Sequence, residues 1–215
     1  MGLRSASSLA TDLQTGQLCS RDLVEHYLER IAAYDPGLGA VVTLDAEGAR
    51  KEADASDRRR SRGETSGSLD GLPITVKDQF STAGVRTTYG WGPNRDFVPQ
   101  SDATSVGRLR DAGAVILGKT NLPAWATDVQ TYNALFGTTN NPWDKTRTPG
   151  GSSGGSAVAM AVGLSALELG SDLAGSIRIP AAYCGVYGHK PSFGLVPYRY
   201  DRGAAPGMRV EFCDM

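Results

Sequence analysis

"TPGGSSGGSA", Thr148 to Ala157, concentrates hydroxyls and backbone amides in one short turn. The run lacks the lysine that a phosphate-cradling loop requires. It is also a poor linker, because apolar residues begin at Ala157 and continue as a helix. It therefore reads as a turn that brings backbone and hydroxyls to a helix N-terminus. A second glycine-serine turn carries Ser176, inside "GSDLAGSIRIPAAYCGVYGHKP". It follows an expected strand over Ala166 to Leu169 and opens a helix. A serine there sits at the positive end of a helix, among amide donors suited to a developing oxyanion. A nucleophilic serine needs a base. His189 lies past the turn, whereas Lys77 ends the apolar strand "LPITVK", where burial favours the neutral, proton-accepting amine. Taken one at a time, the glycine run also fits a generic tight turn, and Lys77 also fits a surface lysine at a strand end.

A third glycine-rich stretch, "GAVILGKT" from Gly113 to Thr120, matches the P-loop pattern in form only. A P-loop curls its middle residues so that their N–H groups face phosphate. Here those residues are Ala114, Val115, Ile116 and Leu117, which read as a buried strand, so nucleotide binding is not expected.

These segments need a scaffold. Ser20 is expected to cap an amphipathic helix with Leu23, Val24, Tyr27, Leu28 and Ile31 at helical spacing, ended by "DPG" at Asp35 to Gly37. "AVVTL" reads as a short strand. Asp45 to about Arg60 reads as a charged helix with Glu47 and Lys51 at i,i+4. Arg58 to Arg62 reads as a solvated helix end, and "GETSGSLDG" as a polar loop. From Leu72 short apolar strands alternate with turns and helices, which argues an α/β sheet protein. The organisation expected is an N-terminal helical region over 1–70, a catalytic core over 71–197 and a tail over 198–215.

The totals fit a soluble folded protein. Of 215 residues, 40% are hydrophobic and 21% charged, enough chain for a sizeable core. A net charge of −1 gives no long-range field, so neither nucleic acid nor an anionic membrane is expected as a partner. Cys19, Cys184 and Cys213 are odd in number and widely spaced, which suggests reduced thiols in a cytoplasmic setting rather than a disulfide framework or a zinc site. His26 reads as a plain helix residue. The N-terminal "MGLRSASSLATDL" has no apolar region of a secretory signal, and no apolar run is long enough for a membrane span.

Together, "GLPITVKD" (Gly71 to Asp78), "GGSSGGSA" (Gly150 to Ala157) and "GSDLAGSIRIPAAYCGVYGHKP" (Gly170 to Pro191) resemble the amidase signature family. "GAVILGKTNLPAWA" and "FGTTNNPWD" between them fit as well. The resemblance implies an α/β mixed sheet flanked by helices and an amidohydrolase with a Ser–cis-Ser–Lys triad. In it Lys77 is the catalytic lysine, Ser152 the bridging serine after a cis peptide, and Ser176 the nucleophile. Ser153 supports the lysine network. The N–H groups of Leu173, Ala174, Gly175 and Ser176 form the oxyanion hole, and Asp172 and Arg178 pair to hold the turn. Cys184 is expected to be a packed thiol. The resemblance implies a small carboxamide as substrate and no metal or organic cofactor, and it allows a homodimer for a full-length chain.

This sequence departs from the family pattern in three places. Ala174 stands where glycine is usual, a substitution that would be strained if the position required positive φ. Leu173 stands where threonine is frequent. After "KPSFGLVP" the text "YRYDRGAAPGMRVEFCDM" carries no recognisable continuation, so the chain is expected to stop before the sheet is complete. Two other readings remain open. One is the amidase component of a tRNA-dependent amidotransferase, whose members carry "DEFAMG"-like residues where this chain has "PAWATD". The other is an inactive, truncated amidase.

Overall fold

In the computed structural model of this chain, residues 3–196 are described. The tail expected at 198–215, with Cys213, lies outside them. The helices are α1 (Ala6–Gln14), α2 (Ser20–Tyr34), α3 (Ala46–Arg60), α4 (Thr104–Asp111), α5 (Gly154–Ala161) and α6 (Arg178–Cys184). The strands are β1 (Val41–Leu44), β2 (Pro73–Lys77), β3 (Val115–Thr120), β4 (Tyr132–Asn133), β5 (Gly137–Thr138) and β6 (Glu168–Leu169). The main sheet is mixed, in the order β1-β3-β2-β6. β3, β2 and β6 run parallel, and β1 closes one edge antiparallel to β3.

Local chemistry explains the starts of α2, α3 and β6, and two of these differ from the sequence expectation. All five apolar positions of the α2 stripe are buried. Ser20, however, is the first helical residue rather than the cap. The free amides of Ser20 and Arg21 instead donate to the Asp57 carboxylate of α3, at 2.8 and 3.0 Å. Ser20 Oγ donates to Gly71 O at 2.7 Å, tying the helix to the strand that carries Lys77. A neighbouring helix thus satisfies terminal donors that a side-chain cap would otherwise serve. In α3, Asp45 accepts from the Gly48 amide at 3.0 Å, as an N-cap should. Glu47 pairs with Arg50 rather than Lys51. The basic run is only partly a solvated end. Arg58 and Arg62 are exposed, but Arg59 bonds buried Asp70 at 2.6 Å and Arg60 bonds Asp57 at 2.9 Å.

β6 is shorter than the strand expected from Ala166. The Thr75 amide meets the Ser165 hydroxyl at 2.9 Å as well as Leu167 O at 3.2 Å, so a side chain competes for the ladder there. The P-loop-like text forms β3, every residue of which is buried. Its lysine, Lys119, donates to Phe80 O and to the hydroxyls of Thr82 (2.8 Å) and Thr87 (3.3 Å).

Side chains alternate along β2. Ile74 and Val76 join a hydrophobic core built from α1, α2, α3 and the sheet, including Leu9, Leu23, Tyr27, Ala53 and Ile116. Thr75 and Lys77 point the other way, where their polar partners come from β6, from the turn before α5 and from the turn after β6. A second core joins Ala157, Val158, Ala159 and Leu164 to Ile31, Leu38, Ala40 and Cys184. Lys77 therefore sits at the end of a fully buried strand with both flanks packed. Among the described residues no helix is long and apolar enough to cross a membrane.

Candidate active site

The glycine-serine run is neither linker nor open loop. Gly150, Gly151, Ser152 and Ser153 are buried, and α5 starts at Gly154 within the run. The backbone of this turn is approached closely from elsewhere. A side chain at Gly155 would lie 2.4 Å from the Asn121 amide nitrogen and 2.8 Å from Ala40 O. The peptide between Gly151 and Ser152 is cis. Thr131 clamps the turn, donating to Gly150 O at 2.9 Å and accepting from the Gly154 amide at 3.1 Å.

Lys77, fully buried at 0% exposure, reaches this turn from β2. Its Nζ lies 2.8 Å from Ser152 Oγ and 2.9 Å from Ser171 Oγ. The turn bearing Ser176 docks on the same place through the backbone, the Ser153 amide donating to Ser176 O at 3.0 Å. Ser176 itself is half-buried, and Leu173 beside it is exposed. Ser153 Oγ donates to Ser171 O at 3.2 Å, so Ser153 ties the two turns together through the backbone of Ser171.

Asp172 holds the second turn from inside. It is fully buried, yet it accepts from the amides of Gly175 (2.7 Å), Ile177 and Arg178 (both 3.2 Å). The Arg178 guanidinium forks onto both carboxylate oxygens at 2.9 Å. Burial alone would raise the carboxyl's pKa; Arg178 and the three amides overcome that and hold it well below the usual carboxylate range. The Gly175 N–H thus points at Asp172, which departs from its expected place among the oxyanion donors. Gly175 has φ 115°, and a side chain there would press within 2.7 Å of Ile179. Ala174 is not among the positive-φ residues, so alanine is unstrained where the family pattern favours glycine.

Cys184 is fully buried, and burial pushes its thiol up to about 12, consistent with a packed thiol. Among the described residues no cluster of three or more His, Cys, Asp or Glu side chains is placed to hold a metal.

Three site residues escaped the sequence reading: Ser171, Gln79 and Thr131. Ser171 precedes Asp172 in the nucleophile turn, and Gln79 lies two residues after Lys77. Period-two alternation past the strand end was the available signal for Gln79. Thr131 carried no signal in its own segment. The "PAWATD" segment also borders the site. Asp128 to Gln130 pack against Gly151, where a side chain would lie 2.8 Å from Gln130 N. Just before them, Trp125 packs against both Tyr89 and Trp91 at tilted angles, with ring centroids 5.2 and 5.1 Å away.

A sequence model of the amidase family matches residues 22–210. Curated relatives include the glutamyl-tRNA(Gln) amidotransferase A-type subunits of Alkaliphilus metalliredigens and Roseiflexus sp. The first is 48% identical over 84% of this chain and 37% of its own length. The second is 50% identical over 86% of this chain and 38% of its own. The chain thus spans under two fifths of the length of these relatives. Among solved structures, the native peptide amidase of Stenotrophomonas maltophilia superposes with a TM-score of 0.86 at 43% identity, over 90% of this chain and 41% of that one. With a family match that takes in both serine turns and the strand bearing Lys77, the chain belongs to the amidase family.

Proposed function

We propose that these residues carry out amide hydrolysis through a seryl acyl-enzyme, with Ser176 as nucleophile, Ser152 as proton bridge and Lys77 as base. The observation that carries this reading is the fully buried Lys77 amine, 2.8 Å from the Ser152 hydroxyl in the turn that docks on Ser176. Desolvation favours the uncharged amine, the form able to accept a proton. As Ser176 Oγ attacks the carbonyl carbon, its proton passes to Ser152 Oγ and the Ser152 proton passes to Lys77 Nζ. The carbonyl oxygen gains negative charge, and the amides of Leu173, Ala174 and Ser176 are the donors assigned to it. The proton on Lys77 returns through Ser152 to the leaving nitrogen as the C–N bond breaks. Water then attacks the ester at Ser176 by the same relay, releasing the acid and the free hydroxyl.

A small carboxamide is the proposed substrate class, and the "PAWATD" segment beside Gly151 supports a free amidase. A second reading is favoured by the names of the curated relatives: the amidase component of an amidotransferase, in which the same serine would release ammonia from an amide for a partner reaction. Fluorophosphonate labelling of the full chain tests the shared chemistry. Label on Ser176 is expected, and labelling that persists unchanged in Ser176→Ala refutes the nucleophile. Ammonia release from simple amides without partner proteins supports the free amidase. Activity on glutamine only in the presence of partners supports the second reading.

A further inference from the structure

The Lys77 amine has a second hydroxyl neighbour that the relay does not use. Ser171 Oγ lies 2.9 Å from Nζ and donates its own proton to Gln79 Oε1 at 2.8 Å. Lys77, Ser171 and Gln79 are 0%, 8% and 5% exposed, so water has little access to this chain of contacts. The backbone explains the meeting. Lys77 and Gln79 are two residues apart and point to one side, whereas Asp78 between them turns away to the amide and hydroxyl of Thr88.

A hydroxyl has one proton and two lone pairs. With its proton committed to Gln79, Ser171 presents a lone pair to Lys77 and takes one of its N–H groups. A neutral amine has a single lone pair. If an N–H is fixed on Ser171, that lone pair is free to face Ser152. If Ser171 instead donated to Lys77, it would occupy the electron pair that must receive the Ser152 proton. We propose that Gln79 is a positioning residue that acts through the Ser171 hydroxyl to keep the Lys77 lone pair open toward Ser152. The proposal rests on the reading of Lys77 as the base.

The full chain tests this through the rate at which a fluorophosphonate labels Ser176, followed from about pH 5 to 10, the range in which a lysine base shows as an acid limb. Gln79→Leu frees the Ser171 proton and is expected to slow labelling about tenfold, the scale of one misdirected hydrogen bond. Ser171→Ala is expected to cost a similar factor. On this proposal the effect of Gln79 on labelling runs through Ser171, so the double variant should be no more than about twofold slower than Ser171→Ala alone. Gln79→Glu keeps an acceptor for Ser171 but adds negative charge near the amine, so its acid limb should move to higher pH. The other titratable groups in and next to these strands, Asp78, Lys119 and Glu168, are present in wild type and in every variant, so their titration is common to all the profiles. A double variant whose loss is the product of the single losses overturns the proposal, as does a Gln79→Glu profile whose acid limb stays in place. Should Gln79→Leu fail to fold, the Gln79→Glu profile decides alone. Lys77→Met separates the two levels: labelling at the wild-type rate would refute the base itself, whereas loss of labelling there with an unmoved Gln79→Glu limb refutes only the role of Gln79.

Discussion

Asp172→Asn should damage this protein out of proportion to the one atom it changes. The carboxylate accepts five bonds: Gly175 N and Arg178 Nη2 on Oδ1, and Ile177 N, Arg178 N and Arg178 Nε on Oδ2. An asparagine has one acceptor oxygen, and its amide nitrogen cannot face donors. The cheaper orientation keeps the oxygen at Oδ2 and leaves the Gly175 amide unpaired in a buried site. That orphan costs about 1–3 kcal/mol, and the remaining bonds lose their charge assistance. Breaking a fully buried pair costs about 3–5 kcal/mol, but the Arg178 side chain is 55% exposed and can turn to water, which discounts that range. The expected loss is therefore about 3 kcal/mol, or roughly 6–12 °C in melting temperature for a chain of this size. Arg178→Gln leaves the three amides on the carboxylate and should cost less. Because folding depresses the Asp172 carboxyl, its contribution is full above the ordinary carboxylate range and is lost as pH falls through the folded value. The gap between wild type and Asp172→Asn should therefore be constant near neutral pH and close in acid. Thermal melts of wild type and both variants across pH make the test. If Asp172→Asn melts no lower than Arg178→Gln, the amides do not depend on the carboxylate and the reasoning fails.

Other outcomes follow from the same structure. Burial in the sheet raises the Glu168 carboxyl from 4.5 to about 7, only partly offset by hydroxyls of Thr120, Thr75 and Ser156. The folded state then holds the extra proton, so stability should fall as pH rises from 4.5 to about 7, and Glu168→Gln should flatten that part of a stability–pH curve. Gly155→Ala places a methyl 2.4 Å from the Asn121 nitrogen, which must force backbone apart. It should cost about 1–3 kcal/mol by denaturant titration. The Cys184 thiol, buried and pushed up to about 12, should resist alkylation in the native protein and react on unfolding, as read by mass spectrometry of its peptide.

What the sequence revealed and what it hid divide along a physical line. Lys77, Ser152 and Ser176 stand in segments where glycine and hydroxyl positions are dictated by close backbone approach, so their motifs are legible as text. The α2 stripe and the buried β3 run were legible because burial imposes a period on them. The helix start at Ser20 differs from the expected cap because its donors are met by Asp57, which lies 37 residues away. β6 is shorter than its apolar text suggests because the Ser165 hydroxyl takes part in the ladder.

The hidden part of the site follows the same division. Ser171 and Gln79 each bear an ordinary polar side chain, and neither residue type predicts contact with the lysine. Their role depends on a parallel pairing that sets β6 beside β2 and brings the turn after β6 level with the end of β2. Asp78 shows why the meeting is directional. Its carboxylate is tied to Thr88 on the opposite side, so the chain past the strand cannot rotate without breaking those bonds, and Gln79 is left facing Ser171. Groups that react must be of fixed chemical type and can be read from sequence. Groups that aim them need only reach, and that is settled by which strand lies beside which.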